Sequence, residues 1–257
     1  MKLHLIGTGS IFTDRMSACA LIDDTLLIDT PNGSVKAMRR GGTDLTAIDI
    51  CLITHFHADH FFDIIFLLME QGLLRRRDRE LVLVGPTGLQ ERIQHLFQLS
   101  YPGTWKTVKP NVRPHFVEFG HGGGQWQGPG RGHDYLVQAF AVQHTTPIAL
   151  GYAITDAQST TLGYTGDTVY CPAAESLTAT SAVVVLDTSF RTSRVGHMGL
   201  DDVEALSRRW PDRTFIPTHL GDDVTGSDRP NIVFPDDGQT FTLNMSGLTD
   251  RPGQGDQ

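Results

Sequence analysis

One six-residue segment constrains this chain more than any other feature. Residues 55–60 read His-Phe-His-Ala-Asp-His, so three imidazoles and one carboxylate lie within six positions. An apolar run at residues 48–53 precedes the segment, and Phe, Ile and Leu at helical spacing follow it. The sequence therefore predicts a strand, a short turn and a helix. The four polar side chains lie at the carboxyl end of the strand, where α/β folds place their sites.

The spacing within this segment predicts which of its side chains can bind the same metal ion. In an extended turn His55 and His57 point the same way, so both can reach one metal ion. Asp59 and His60 fall at the start of the helix and can face a second ion. Imidazole and carboxylate together suit zinc, and also manganese or iron. The alternative is a set of histidines that only decorate a surface turn.

Three further candidate ligands favour the metal site over that alternative. His144, Asp167 and His219 each follow an apolar run and precede small or turn-forming residues. A single histidine after a strand is more often a surface or core residue. Three such residues at three strand ends, together with the dense cluster, instead predict one shared metal centre.

Length and charge narrow the class of protein. The 257 residues suffice for one large domain or two small ones. No sharp linker divides them, so we expect a single domain over residues 1–245 and a polar, disordered tail over residues 246–257. A net charge of -8 disfavours a nucleic-acid binder. The dense basic run, formed by Arg75, Arg76, Arg77 and Arg79, is better explained as a solvated helix end or loop than as a phosphate site.

Cysteine usage and hydropathy indicate the cellular compartment in which we expect the protein. Cys19, Cys51 and Cys171 are far apart and share no CxxC spacing, which predicts a reducing environment and no disulfide framework. No segment approaches the roughly 18 apolar residues that cross a membrane. The first apolar run is interrupted by Gly7 too early for a signal peptide. We expect a cytoplasmic protein without a membrane partner.

Five segments, taken in chain order, resemble those of the metallo-β-lactamase superfamily. They are Leu-Ile-Asp-Thr at 27–30, the cluster at 54–60, Gln-His-Thr at 143–145, Tyr-Thr-Gly-Asp-Thr at 164–168 and Pro-Thr-His-Leu at 217–220. The resemblance covers about residues 1–245. It implies an α/β fold, the four-layer αββα sandwich with two sheets inside and helices outside.

The resemblance also implies a role for each matching residue. The metal ligands would form two sets and a bridge: His55, His57 and His144 for one ion, Asp59, His60 and His219 for the other, and Asp167 between them. Asp29 would support the cluster without binding metal. Two divalent ions, zinc in the first instance, would hold a bridging hydroxide that attacks an ester, amide or phosphodiester.

Other details are similar to the RNase Z-like and small phosphodiesterase branch. They are the opening Leu-Ile-Gly-Thr-Gly-Ser at residues 5–10, Gly-Pro at 85–86, Cys-Pro at 171–172 and Gly-His-Met-Gly at 196–199. In this branch a histidine corresponding to His197 can protonate the leaving oxygen, which a phosphodiester requires near neutral pH. Asp59 and His197 are thus the candidate catalytic residues. The alternative is that His197 caps a helix or faces solvent.

One departure from RNase Z bears on the substrate. RNase Z carries a long tRNA-binding arm between the metal histidine and the bridging aspartate, whereas only a tight hairpin separates His144 from Asp167 here. With the acidic charge, this makes tRNA an unlikely partner and favours a small phosphodiester, such as a cyclic nucleotide or a cyclic ribose phosphate. We expect the glycine-rich loop at residues 120–132 to shape the substrate entrance. A homodimer is expected by analogy alone.

Two alternative functions stay open from the sequence. The same ligands would serve a lactonase, thioesterase, sulfatase or β-lactamase, because fold and ligands do not fix the substrate. The chain could instead be a non-catalytic metal-binding carrier or accessory protein in cofactor biosynthesis. The complete set of seven ligands together with His197 favours the enzyme.

Overall fold

The computed structural model describes residues 1–75, 77, 79–130 and 132–249. The predicted basic run is therefore described without Arg76, and the glycine-rich segment without Arg131. Residues 250–257, most of the predicted tail, also lie outside the described part. Within that part, no helix is both long and apolar enough to cross a bilayer.

The first half of the chain builds one sheet and the helices that cover it. Its strands are β1 (Lys2–Gly7), β2 (Cys19–Ile22), β3 (Leu26–Ile28), β4 (Ile50–Leu52), β5 (Leu81–Pro86) and β6 (Pro114–Phe119). Its helices are α1 (Ser34–Arg40), α2 (Ala58–Phe61), α3 (Ile64–Met69), α4 (Leu89–Ser100) and α5 (Trp105–Val112). A 3₁₀ turn at Leu45–Ala47 and a π-helical turn at Glu70–Leu74 complete this half.

The second half builds the other sheet and returns two strands to the first. Its strands are β7 (Gly124–Pro129), β8 (Asp134–Val142), β9 (Ala149–Thr155), β10 (Thr161–Tyr164), β11 (Val183–Asp187), β12 (Thr214–Thr218), β13 (Thr240–Asn244) and β14 (Gly247–Leu248). Its helices are α6 (Pro172–Thr180) and α7 (Leu200–Arg209). The strand orders are β14-β13-β1-β2-β3-β4-β5-β6 and β12-β11-β10-β9-β8-β7.

Alternating side chains on the central strands produce the four layers. On β4, Ile50 and Leu52 join the core between the two sheets, whereas Cys51 joins the core between the first sheet and its helices. On β11, Val183 and Val185 face the first sheet, and Val184 faces the α6 and α7 side. Each fully buried side chain of this size stabilises the fold by about 1.5–3 kcal/mol. The predicted αββα sandwich is confirmed.

Three segments differ from what their sequence pattern indicates. Residues 111–119 alternate as a strand would, but α5 continues to Val112, because Val108 and Val112 lie one helical turn apart and both are buried. The glycine-rich segment is not a loop throughout: β7 pairs antiparallel with β8, whose backbone groups would otherwise be unpaired at the sheet edge. The predicted tail begins with β14, which pairs with β13.

Candidate metal centre

All seven predicted ligands lie at one end of the sandwich. His55 and His57 follow β4, and His144, Asp167 and His219 follow β8, β10 and β12. Since β10, β11 and β12 run parallel, their carboxyl ends meet at the same edge of the second sheet. The loop after β4 reaches that edge because the Leu150 N–H donates to the Thr54 carbonyl at 2.9 Å. The fold therefore brings residues 164 positions apart in the sequence, His55 and His219, into one cluster.

The first candidate set is His55, His57 and His144, whose ligand atoms lie within 4.8 Å of one another. His57 Nδ1 is 3.2 Å from His144 Nε2. His144 Nδ1 donates to the Gly196 carbonyl at 2.7 Å, which leaves Nε2 with a lone pair directed to the cluster. His55 Nδ1 lies 3.1 Å from Thr54 Oγ1, so its Nε2 is likewise the free nitrogen.

The second candidate set is Asp59, His60 and His219. Asp59 Oδ2 is 3.5 Å from His219 Nε2 and 3.7 Å from His60 Nε2. His60 Nδ1 donates to Asp29 Oδ2 at 2.8 Å, and His219 Nδ1 donates to Ser189 Oγ at 2.7 Å. Both imidazoles therefore present Nε2 toward Asp59.

Asp167 lies between the two sets. Its Oδ2 is 3.3 Å from Nε2 of both His60 and His219, and 3.9 Å from Nε2 of both His55 and His144. Burial alone would raise the pKa of Asp167, but the surrounding imidazoles, His219 and His60 above all, hold that pKa well below its usual range. An ionised carboxylate in this position can bridge two cations.

The unpaired atoms of the cluster fit divalent metal ions. Nε2 of His55 and Nε2 of His60 are buried and have no hydrogen-bond partner among the described residues. Burial, reinforced by His60, keeps the pKa of His55 well below its usual value, so this ring is neutral and offers a lone pair. Leaving such atoms unpaired is costly, and a cation would satisfy them.

The charges around His60 also favour a bound cation. Burial lowers the pKa of His60, but the carboxylates of Asp167 and Asp29 outweigh burial and raise it well above the usual value. The site thus stabilises a positive charge at this point, whether a proton or a metal ion supplies it.

Asp29 supports the second candidate set through hydrogen bonds. It is fully buried, and its carboxylate accepts hydrogen bonds from Thr54 N at 2.8 Å and from His60 Nδ1. Asp29 and His219 both adopt positive φ angles, 60° and 55°, which non-glycine residues rarely do. Strained backbone of this kind clusters at functional sites, because the surrounding structure must hold it in place.

His197 lies beside the cluster in a network that the sequence did not reveal. Its Nδ1 donates to Asp187 Oδ2 at 2.8 Å, and its side chain lines the cavity in front of the cluster. Burial lowers the pKa of His197, but the Asp187 carboxylate outweighs burial and raises it. Ser189 Oγ donates to Asp187 Oδ1 at 2.6 Å and accepts from His219 Nδ1. One carboxylate thus orients His197 directly and His219 through a serine.

Asp187 and Ser189 were missed at the sequence level, although a signal existed. Asp187 is the last residue of β11, directly after the apolar run Val183 to Leu186, so the strand-end argument applied to the other ligands would also have selected it. It has no histidine or second carboxylate next to it in the sequence, and its role depends on His197, ten residues later.

The cavity in front of the cluster has a volume of about 440 Å³. Its lining includes His57, Asp59, Asp167, His197 and His219, together with Ser10, Ile11, Phe12, Thr13, Ser189, Phe190, Arg194, Gly221, Asp222 and Asp223. No described residue of the glycine-rich segment at 120–132 lines it. The expectation that this segment shapes the entrance is therefore wrong: its strand lies at the far edge of the second sheet, and the β1–β2 loop forms the entrance instead.

Fold and site together define the family. Residues 24–220 match the model of the beta-lactamase superfamily domain, which covers more than half of the chain. The protein belongs to this family. Its fold and its His and Asp clusters imply divalent-metal binding and the metal-dependent hydrolase class.

Relatives in sequence point to the predicted branch. The Ribonuclease Z of Methanosarcina mazei is 30% identical over 162 residues, which are 60% of this chain and 48% of that protein. The Ribonuclease Z of Agathobacter rectalis is 30% identical over 131 residues, 50% of this chain and 38% of that protein. The matched part thus spans about half the length of these curated relatives, or less. The resemblance to the RNase Z-like branch is confirmed.

Solved structures agree on the fold. The short form of human tRNase Z superposes with a TM-score of 0.72 at 16% identity, covering 94% of this chain and 99% of that one. A diphosphatase of the PhnP family gives a TM-score of 0.71 at 17% identity, covering 95% and 98%. At these identities the likeness establishes the fold alone.

Proposed function

We propose that the protein is a dinuclear metal-dependent phosphodiesterase that acts on a small phosphodiester. The observation that carries the proposal is His197, held by Asp187 beside the seven candidate metal ligands and lining the same cavity as several of them. An activated ester with a good leaving group can react without a proton donor, whereas the alkoxide leaving group of an ordinary phosphodiester needs one.

Different residues of the chain would bind the metal ions and accept the proton of the attacking water. The two histidine sets and Asp167 would hold two divalent ions, zinc in the first instance and manganese or iron as alternatives. Such ions supply Lewis-acid activation of water and of the phosphoryl oxygens. Asp59 lines the cavity and is the candidate acceptor for the proton of the attacking water.

His197 is the candidate proton donor for the leaving oxygen, on the side of the phosphorus opposite the attacking water. As the bond from phosphorus to the leaving oxygen breaks, the His197 ring donates a proton to that oxygen, and a monoester and an alcohol result. Asp187 keeps the His197 ring in the orientation for donation. Its carboxylate accepts a 2.8 Å hydrogen bond from Nδ1, so Nε2 is the nitrogen that faces the substrate.

The charge of the cavity favours a small substrate over tRNA. Arg194 is the one Lys or Arg among its described lining residues, whereas Asp222 and Asp223 add two carboxylates to the same lining. A tRNA backbone requires several cationic contacts. Only the hairpin of β9 and β10 separates His144 from Asp167, as expected from the sequence. A tRNA 3′ end is nevertheless the second candidate, because the sequence relatives include Ribonuclease Z proteins.

The test combines metal content, substrate class and the role of His197. Metal-loaded protein should hydrolyse bis(4-nitrophenyl) phosphate and a 2′,3′-cyclic nucleotide and leave a precursor tRNA uncut. The His197→Ala variant should bind metal normally but lose more activity on the cyclic nucleotide, whose leaving group is an alkoxide, than on the 4-nitrophenyl ester. Equal losses on both substrates would rule out His197 as the general acid.

The same experiment separates the other candidate functions. Hydrolysis of a lactone or thioester without hydrolysis of any phosphodiester would support another hydrolase of this fold. Folded protein that carries metal but turns over no substrate in the panel would support a carrier. Cleavage of precursor tRNA in preference to the small diesters would replace the proposed substrate.

A further inference from the structure

The mouth of the site cavity has an apolar side. Ile11 and Phe12 lie in the β1–β2 loop, line the cavity, and are 54% and 86% exposed. Phe190 lines it as well, with the Arg194 guanidinium 4.4 Å from its ring centroid. Exposed apolar groups that cluster at a cavity, rather than occurring singly, mark a binding surface.

This apolar side continues into a second groove of about 550 Å³. Ile11 and Asp59 line both spaces, so the groove opens beside the candidate catalytic residues. Its walls include Phe62 and Phe66, which follow the histidine cluster and are 47% and 42% exposed. We call Ile11, Phe12, Phe62 and Phe66 the apolar wall.

A third groove also adjoins the site cavity. Asp222 and Thr13 line both spaces, and the lining of this groove contains the charged side chains of Arg15 and Asp236 as well as Phe234. The site cavity therefore adjoins one groove with exposed phenylalanines and another that carries charged groups. A phosphodiester carries two substituents, one on each side of the phosphorus, and two unlike grooves select two unlike substituents.

We propose that the apolar wall binds an apolar substituent, aryl or alkyl, on the substrate's phosphodiester group; this rests on the proposed function. The substituent would be held between Phe12 and Phe62 while the phosphoryl group lies at the metal ligands. The substrate is the occupant, because the residues shared by the two spaces, Ile11 and Asp59, place the groove against the reacting centre. A bare sugar phosphate would leave these side chains in water, whereas an apolar substituent covers them.

The experiment compares 4-nitrophenyl phosphodiesters that differ only in the second substituent. Methyl, 2-methoxyethyl, hexyl and phenyl esters share one leaving group and carry no internal nucleophile, so their intrinsic reactivities are similar. The wild-type protein should favour phenyl or hexyl over methyl by about tenfold or more in kcat/KM, and should not favour 2-methoxyethyl. The comparison of phenyl with hexyl tells whether the wall selects a ring or a chain.

Two variants and a matched control assign the preference to the wall. Phe12→Ala and Phe62→Ala should each reduce the preference for phenyl over methyl about threefold or more, through a higher KM for the phenyl ester. Phe12 is largely exposed and Phe62 about half exposed, so folding should persist, and thermal unfolding verifies it. Leu99→Ala removes an 83% exposed side chain that lines neither space, and should leave the preference unchanged.

The remaining outcomes are decisive as well. Equal kcat/KM values for methyl and phenyl esters, or a preference that survives both Phe variants, would overturn the proposal. So would sedimentation showing a dimer that Phe62→Ala dissociates without changing the preference, since a second copy would then cover the wall. If no diester is hydrolysed, the proposed function fails, and calorimetry decides the inference separately. Tighter binding of phenylphosphonate than methylphosphonate, lost in Phe12→Ala, supports the wall, and equal binding overturns it.

Discussion

Asp187 Oδ2 accepts a 2.8 Å hydrogen bond from His197 Nδ1, while Asp187 Oδ1 accepts one from Ser189 Oγ, which in turn accepts from His219 Nδ1. A single buried carboxylate therefore fixes the ring orientation of the candidate acid and of one candidate metal ligand. Ser189 Oγ also lies 3.1 Å from His197 Nδ1, but that nitrogen keeps its shorter bond to Asp187 Oδ2 when the serine is removed, whereas His219 Nδ1 loses its acceptor. Mutation of Ser189 therefore acts mainly on the His219 branch.

Replacing Asp187 by Asn should slow the reaction about 10- to 100-fold. The amide cannot accept both bonds as the carboxylate does, so His197 loses its orientation. The loss should be larger for a cyclic nucleotide than for bis(4-nitrophenyl) phosphate, which needs less acid assistance. The measurement is kcat on both substrates, with Asp212→Asn, an exposed carboxylate on the surface, as the control.

Replacing Ser189 by Ala should affect metal binding more than leaving-group dependence. His219 Nδ1 loses its acceptor, so the ring no longer presents Nε2 reliably, whereas the bond from His197 to Asp187 persists. We expect zinc affinity to fall about 10-fold, measured by competition with a chromophoric chelator. Unchanged affinity combined with the kinetic pattern of Asp187→Asn would contradict this division of roles.

Asp29→Asn should weaken the second candidate set. The Asp29 carboxylate accepts the His60 Nδ1 proton, and an amide oriented by Thr54 N–H cannot accept it equally well. Zinc content should fall from two ions per chain toward one, with loss of activity. Elemental analysis of the folded variant measures this. Two tightly bound ions in Asp29→Asn would show that His60 needs no such support.

The site shows what a sequence can predict and where it stops. The clustering of the seven candidate ligands was predictable because each bears a metal-binding group and lies either just after an apolar strand or in the helix that begins there. Asp187 and Ser189 act through partners that only folding brings near. Likewise β7 has the composition of a loop, and it forms a strand because the edge of β8 offers unpaired backbone groups. The amino-acid composition of a segment does not indicate which strand it will lie beside in the folded protein.

Removing metal should lower the thermal stability of the protein. Without cations, the buried Nε2 atoms of His55 and His60 have no hydrogen-bond partner among the described residues, and four imidazoles share the one Asp167 carboxylate. Zinc at a hundred times its dissociation constant would add about 2.7 kcal/mol to the free energy of unfolding. For a chain of this size that corresponds to a rise in Tm of roughly 5–10 °C. Thermal unfolding with and without chelator, followed by zinc addition, measures it, and identical Tm values would contradict the metal assignment.

Gly166→Ala should disturb the bridging Asp167 through the backbone. Gly166 has a φ of 60°, and a Cβ there would lie 2.8 Å from the Thr54 Cβ. Either the turn that carries Asp167 or the loop that carries the histidine cluster must therefore shift. We expect a loss of about 1–3 kcal/mol in the free energy of unfolding, together with weaker zinc binding. Gly122→Ala is the matched control, because a Cβ at that position meets no atom within 4 Å. Urea unfolding and chelator competition on both variants measure the difference. A Gly166→Ala protein that loses stability but binds zinc like the control would show that the two loops are not mechanically coupled.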